Sequence, residues 1–239
     1  MTKEPIIILV RPQMGENIGA VARAMSNFGL RELRIVAPRD GWPNEKAQDM
    51  ASGGIGIVNA AKIFDDFPSA MADIHVAYAT TARPRDMEKP TFTPDEAIAS
   101  LSTEQNTALV FGPERTGLEN SEIAMCDALI TIPTAPENSS LNLGQSMVVL
   151  GYEWFTHTLN TPAKESTHIP ATKSDWKGLF DQLEGYLDEV NYYRVAEKKP
   201  TMQHNLQTFL MRGQWSEQEV RSFRGVLRSL WEKKHRNTP

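Results

Sequence analysis

With 239 residues, 40% of them hydrophobic, and a single cysteine, Cys126, the chain has room for one large domain or for a medium domain with an appendage. That cysteine count excludes a disulfide framework and a thiolate zinc site, and the five histidines fall in no ligand spacing such as HExxH, so no metal is expected. The opening MTKEPIIILV carries too short an apolar run for a signal sequence or a spanning helix, which leads us to expect a cytoplasmic, reducing location and no membrane association.

The formal net charge of −5 is unevenly spread. Residues 1–163 carry 12 Lys and Arg against 20 Asp and Glu, whereas residues 164–239 carry 13 against 10. A basic tail on an acidic body points to a polyanionic partner. The plainer reading is a solvated helical surface.

Ile6 to Val10 is almost wholly apolar, the pattern of a strand buried on both faces. In the following RPQMGENIGAVARAMSNFGL, Asn17 is placed to cap a helix whose buried stripe is Ile18, Val21, Ala22 and Met25, and Gly29 is placed to end it. Glu16, Arg23 and Asn27 share its polar side. Leu33 to Ala37 reads as a second strand, Lys46 to Met50 as a short helix, and Ile74 to Tyr78 as a third strand running into TTARPR. Arg83 and Arg85 flank Pro84 there, giving either a phosphate-binding loop or a solubilising one.

Thr93 caps a helix opening at Pro94, and Thr107 to Phe111 is a fourth strand ending in GPERTGLE, whose glycines permit tight backbone turns beside a ligand. This is neither GxGxxG nor a Walker A sequence. Ala128 to Ile132 is a fifth strand. The polar stretch 133–146, PTAPENSSLNLGQS, then joins it to a long apolar helix beginning near Asn142. That stretch is either a capped connection or a loop that holds a small ligand at a helix start. Strands alternating with helices predict an α/β domain with a largely parallel sheet over residues 1–160.

Residues 161–173, rich in Pro, Thr and Ser without periodicity, read as a linker. Residues 174–239 read as an all-helical extension. Trp176, Leu179, Phe180 and Leu183 mark its first helix, and Met202, Leu206 and Leu210 its second. A capping box at Ser216 and Glu219 opens a third, on which Arg221, Arg224 and Arg228 share one face.

NIGAVARAMSNFGL, FGPERTGLENSEI and SSLNLGQSMVVLGYE resemble, in order, the three motifs of the SPOUT class of RNA ribose 2′-O-methyltransferases, in its TrmH-like branch. The tail, KKPTMQHNLQTFLMRG with SEQEVRSFRGVL, resembles the C-terminal extension of the TrmJ subfamily, which methylates nucleotide 32 of the tRNA anticodon loop. The resemblance covers the whole chain. It implies a parallel sheet with helices on both faces and a C-terminal trefoil knot, an exception to the usual rule against knotted chains.

It also implies S-adenosylmethionine as cofactor, held by Thr80, Thr81, Ala82, Gly112, Ile132, Ser139, Ser140 and Leu141. A homodimer is implied in which Arg23 serves the partner's site, with Asn17, Glu114 and Ser140 as further catalytic residues. Arg83, Arg85, Arg221, Arg224 and Arg228 would bind tRNA. Two alternatives stand beside this reading: methylation of ribosomal RNA or of another tRNA position, and a non-catalytic nucleic-acid-binding protein. A dinucleotide oxidoreductase is disfavoured because RPQMGENIG lacks GxGxxG.

Overall fold

Continuous apolar runs become the central strands. In a computed structural model that describes residues 3–82, 88–101, 104–160 and 169–236 (backbone alone at 159–160 and 234–236), β1 (Ile6–Val10) is buried at every position. The chain then forms α1 (Gly15–Asn27), β2 (Leu33–Val36), α2 (Glu45–Ala51), α3 (Ile55–Asn59), β3 (Lys62–Phe64) and α4 (Phe67–Met71). These are followed by β4 (Val76–Thr80), β5 (Thr91–Phe92), α5 (Pro94–Ser100), β6 (Thr107–Phe111), α6 (Asn120–Ala124), β7 (Ala128–Ile130) and α7 (Leu143–Asn160). Three longer helices complete it: α8 (Lys173–Glu189), α9 (Lys199–Met211) and α10 (Glu217–Arg236).

The seven strands form one sheet in the order β3-β2-β1-β6-β4-β7-β5, and every pairing is parallel. Parallel strands need crossovers and so bury both faces. Ile7, Leu9, Leu109 and Phe111 meet α1, α2, α5 and α7 on one side. Ile6, Ile8, Val10 and Val110 meet Phe67, Met71 and Ile123 of α4 and α6 on the other.

Several sequence-based boundaries shift. Helix α1 begins at Gly15, with Met14 at the capping position and no side-chain cap, so Asn17 lies inside the helix and its side chain is used elsewhere. Gly29, at φ 74°, does terminate the helix, and the Leu30 amide donates to the Met25 carbonyl at 3.0 Å. The third strand starts at Val76 rather than Ile74, and the fifth ends at Ile130 rather than Ile132. Two short strands at the sheet edges, β3 and β5, have no apolar run to announce them. Thr93 stands at the cap position as read, within a capping box with Glu96, and the capping box at Ser216 and Glu219 forms as read.

The C-terminal helices have their own core of Trp176, Leu179, Leu210, Met211 and Val220, and they dock on the body: α8 against α4 and α9 against α6. Residues 161–168 of the stretch read as a linker lie outside the described residues, but its end is firmly held. Ala171 N donates to Trp215 O at 2.7 Å and Lys173 N to Ile74 O at 2.8 Å. The Lys173 ammonium, 2% exposed, pairs with the Asp127 carboxylate, 7% exposed, at 2.6 Å. Asp127 also accepts the Ala77 amide at 2.7 Å, so both buried charges find hydrogen-bonding partners. Nearby, Lys89 donates to the Ala124 carbonyl at 3.2 Å and to that of Cys126, closing the end of α6. Burial pulls its amine down to about 8 and pushes the Cys126 thiol up to about 12.

Candidate active site

The cleft lies where ligands collect in open α/β sheets, beyond the carboxyl ends of the strands. The ends of β4 and β6, the segment after β7 and the start of α7 enclose about 310 Å³. Thr80, Thr81, Ala82, Gly112, Ile132, Ser139, Ser140 and Leu141 all line it, although they come from three separate stretches of chain. Glu114 lines it too, as do Phe111, Arg115, Thr116 and Leu143. Arg115 and Thr116 were not singled out from the sequence, though they sit beside Glu114 within the GPERTG loop.

Each wall has a local cause. Thr80 spends its hydroxyl on the sheet, donating to the Val110 carbonyl at 3.0 Å, and so holds the end of β4 against β6. A Cβ at Gly112 would sit 2.3 Å from the Leu118 nitrogen, so only glycine lets the loop after β6 fold back on itself. The opening of α7 is capped by Asn142, whose Oδ1 accepts from Gly144 N at 2.9 Å while its own amide N donates to Gln145 Oε1 at 3.2 Å.

A hydrogen-bond chain joins the segment entering α1, the loop after β6 and the start of α7. Glu114 Oε2 accepts the Gln13 amide at 2.9 Å, and Oε1 accepts the Asn17 side-chain amide at 2.6 Å. Asn17 Oδ1 in turn accepts from Asn142 Nδ2 at 3.0 Å. Asn17 is therefore a tie between loops rather than a helix cap, and Asn142 combines the cap role with a second contact. Both carboxylate oxygens of Glu114 are thus engaged in holding the wall.

Arg23 stands apart. It lies on the exposed side of α1, outside the cleft lining, and makes no hydrogen bond or ion pair with any described residue. Arg83 and Arg85 lie outside the described residues. On α10, Arg221 is exposed and pairs with Glu217 one turn back. Arg228 is also exposed, whereas Arg224 is half-buried and donates to Gln182 Oε1 of α8 at 3.1 Å. Among the described residues no group of three His, Cys, Asp or Glu is placed to hold a metal ion, and no helix is long and apolar enough to cross a membrane.

The cleft fits a nucleoside-sized ligand such as S-adenosylmethionine. Ile130, Ile132, Leu141 and Leu143 offer apolar surface, while Ser139, Ser140 and nearby backbone offer hydrogen-bonding groups.

A parallel α/β sheet with a cleft walled by three loops at its carboxyl edge places the chain among the open-sheet α/β proteins, in which ligands collect at that edge. More particularly, residues 4–152 match the SpoU rRNA Methylase family, and the chain belongs to that family of methyltransferases. It is 33% identical over 232 residues to a tRNA (cytidine/uridine-2′-O-)-methyltransferase TrmJ of Salmonella choleraesuis, covering 94% of this chain and 95% of the relative. It is also 34% identical over 187 residues to the tRNA (cytidine-2′-O-)-methyltransferase TrmJ of Methanocaldococcus jannaschii, covering 77% and 81%. The crystal structure of TrmJ from Z. mobilis ZM4 superposes with a TM-score of 0.87 at 41% identity, covering 95% of this chain and 99% of that one.

Proposed function

We propose that this protein uses S-adenosylmethionine to methylate a ribose 2′-hydroxyl of tRNA, at nucleotide 32 of the anticodon loop. The observation that carries the reading is similarity that runs through the C-terminal helices, over 94% of this chain, to relatives named for that chemistry on tRNA. When bound, the cofactor supplies a methyl group already activated on a sulfonium. The protein has only to align the acceptor and assist loss of its proton.

On this reading the eight cleft residues bind the cofactor, and Glu114, Asn17 and Asn142 hold the loop after β6 and the start of α7 in register on α1. Arg23 holds the target phosphate or hydroxyl and stabilises the negative charge that develops. A guanidinium keeps its proton, so a phosphate oxygen or water accepts the one released. Ser140 orients Arg23 or the nucleotide. Arg23 lies outside its own cleft lining, which suits a homodimer in which it serves the partner's cleft. An exposed apolar strip on α7 also favours a dimer: Val148, Tyr152 and Phe155 are 44%, 55% and 42% exposed. The trefoil threading of the cleft loops and a cytoplasmic location belong to the same reading.

Incubation with methyl-labelled S-adenosylmethionine and total cellular RNA, followed by nucleoside mapping, tests it. Label is expected in 2′-O-methylcytidine and 2′-O-methyluridine at tRNA position 32. Label confined to ribosomal RNA would keep the chemistry and replace the substrate.

A further inference from the structure

We propose that Arg11, which is outside the cleft lining and directs its side-chain hydrogen bonds away from it, is the positioning residue that fixes the cleft wall formed by Gly112 to Gly117. The inference rests on reading that cleft as the cofactor site. Arg11 follows β1 with φ at 45°, a left-handed conformation unfavourable for a non-glycine residue. Its amide donates to the Val36 carbonyl at 2.8 Å, which anchors its backbone on β2. From there its side chain crosses to α6. Nη2 donates to Glu119 Oε1 at 3.0 Å and to Glu122 Oε2 at 3.2 Å, and Nη1 donates to Glu122 Oε1.

Glu122 is a buried carboxylate, 5% exposed, and needs these donors. Its Oε2 also accepts the Glu119 amide at 2.7 Å, closing the capping box of α6. Two residues beyond Arg11, the Gln13 amide holds Glu114. The short segment from Arg11 to Gln13 therefore grips the β6–α6 connection at two points, at Glu114 within the cleft wall and at Glu119 with Glu122 beyond it. Between those grips lie Arg115, Thr116 and Gly117 of the cleft wall. Inside the wall, Gly117 at φ 67° closes a turn by donating to the Pro113 carbonyl at 2.8 Å. A bidentate guanidinium–carboxylate fork fixes distance and angle together, which a single ammonium contact does not.

The test compares wild type with Arg11→Ala/Glu122→Gln, in which no buried carboxylate is left unpaired, and with Arg11→Lys. In the protein without added ligand, amide hydrogen exchange across 112–118 should quicken by about tenfold or more in the double variant while β1 and β2 stay protected. Binding of S-adenosylmethionine by calorimetry should weaken by about tenfold. Arg11→Lys should recover only part of either effect. Unchanged exchange across 112–118 overturns the proposal, as does faster exchange with unchanged cofactor affinity. If wild type itself binds no S-adenosylmethionine, the cofactor reading of the cleft has failed, and the exchange measurement alone decides the role of Arg11. Should the double variant not fold, Arg11→Lys carries the same comparison, since it keeps the charge and loses the fork.

Discussion

Arg23 is held by its backbone rather than by its side chain. The Ala22–Arg23 peptide packs so closely on Gly54 that a Cβ there would lie 2.4 Å from the Ala22 carbonyl oxygen and 2.8 Å from the Arg23 nitrogen. The side chain is exposed and has no hydrogen-bond or ion-pair partner among the described residues, so its removal takes no such contact from them. Arg23→Ala should lower kcat by about 100- to 1000-fold, the cost of losing a group that stabilises developing charge. S-adenosylmethionine affinity should change less than twofold, because the role proposed for Arg23 is to hold the acceptor phosphate or hydroxyl and not the cofactor. Equilibrium binding and single-turnover rates separate the two, and an active Arg23→Ala enzyme would remove the assignment. Asn17 shows where reading by residue type stops. An asparagine ahead of an apolar stripe reads as a cap, yet its partner is Glu114, 97 positions along the chain. Local spacing carries no information about such a bond.

Helix α7 carries two surfaces. Leu143, Met147, Leu150 and Trp154 are buried against the sheet, while Val148, Tyr152 and Phe155 face outward. Phe28, at the end of α1, lies edge-on to Tyr152 at 6.4 Å and near Phe155 at 6.3 Å. Gly151 permits this, since a Cβ there would meet the Phe28 ring at 2.5 Å. Tyr152→Glu should cost the isolated subunit no more than about 0.5 kcal/mol, as exposed substitutions do. Within a subunit interface the same carboxylate would be buried without a partner. Light scattering is therefore expected to report a dimer for wild type and a monomer for the variant, with methylation lost alongside. A monomeric, fully active wild type would contradict a site shared between subunits. The elements that were legible from sequence are those with apolar runs or clear caps: β1, β2, β6, α7 and α10. Strands β3 and β5, of three and two residues at the sheet's edges, are fixed by pairing with β2 and β7 and leave no pattern of their own.

At the scale of the molecule, the extension is part of the folded body. It covers α4 and α6 and is pinned by Lys173 to Asp127 and by Arg212 to the Glu88 carbonyl at 2.6 Å. Wholesale deletion would expose that surface, so charge substitutions on α10 test RNA contact more cleanly. Arg221 and Arg228 are exposed, and Arg221→Ala/Arg228→Ala should weaken tRNA binding and reduce the slope of log K against log salt by about two. An unchanged slope would assign the basic helix to another task. The uneven charge along the chain did suggest a polyanion-facing tail, but it could not reveal that Arg224 is turned inward to Gln182.

The attachment of that tail sets a scale on the substrate. Every anchor on the body, at Ala72, Ile74, Glu88 and Asp127, lies just ahead of a strand, whereas the cleft lies just beyond the strand ends. Five-residue strands are about 17 Å long. The sheet thus works as a ruler: a free nucleoside can occupy the cleft, but only a polynucleotide that spans at least that length can touch both the cleft and the tail's base in one subunit.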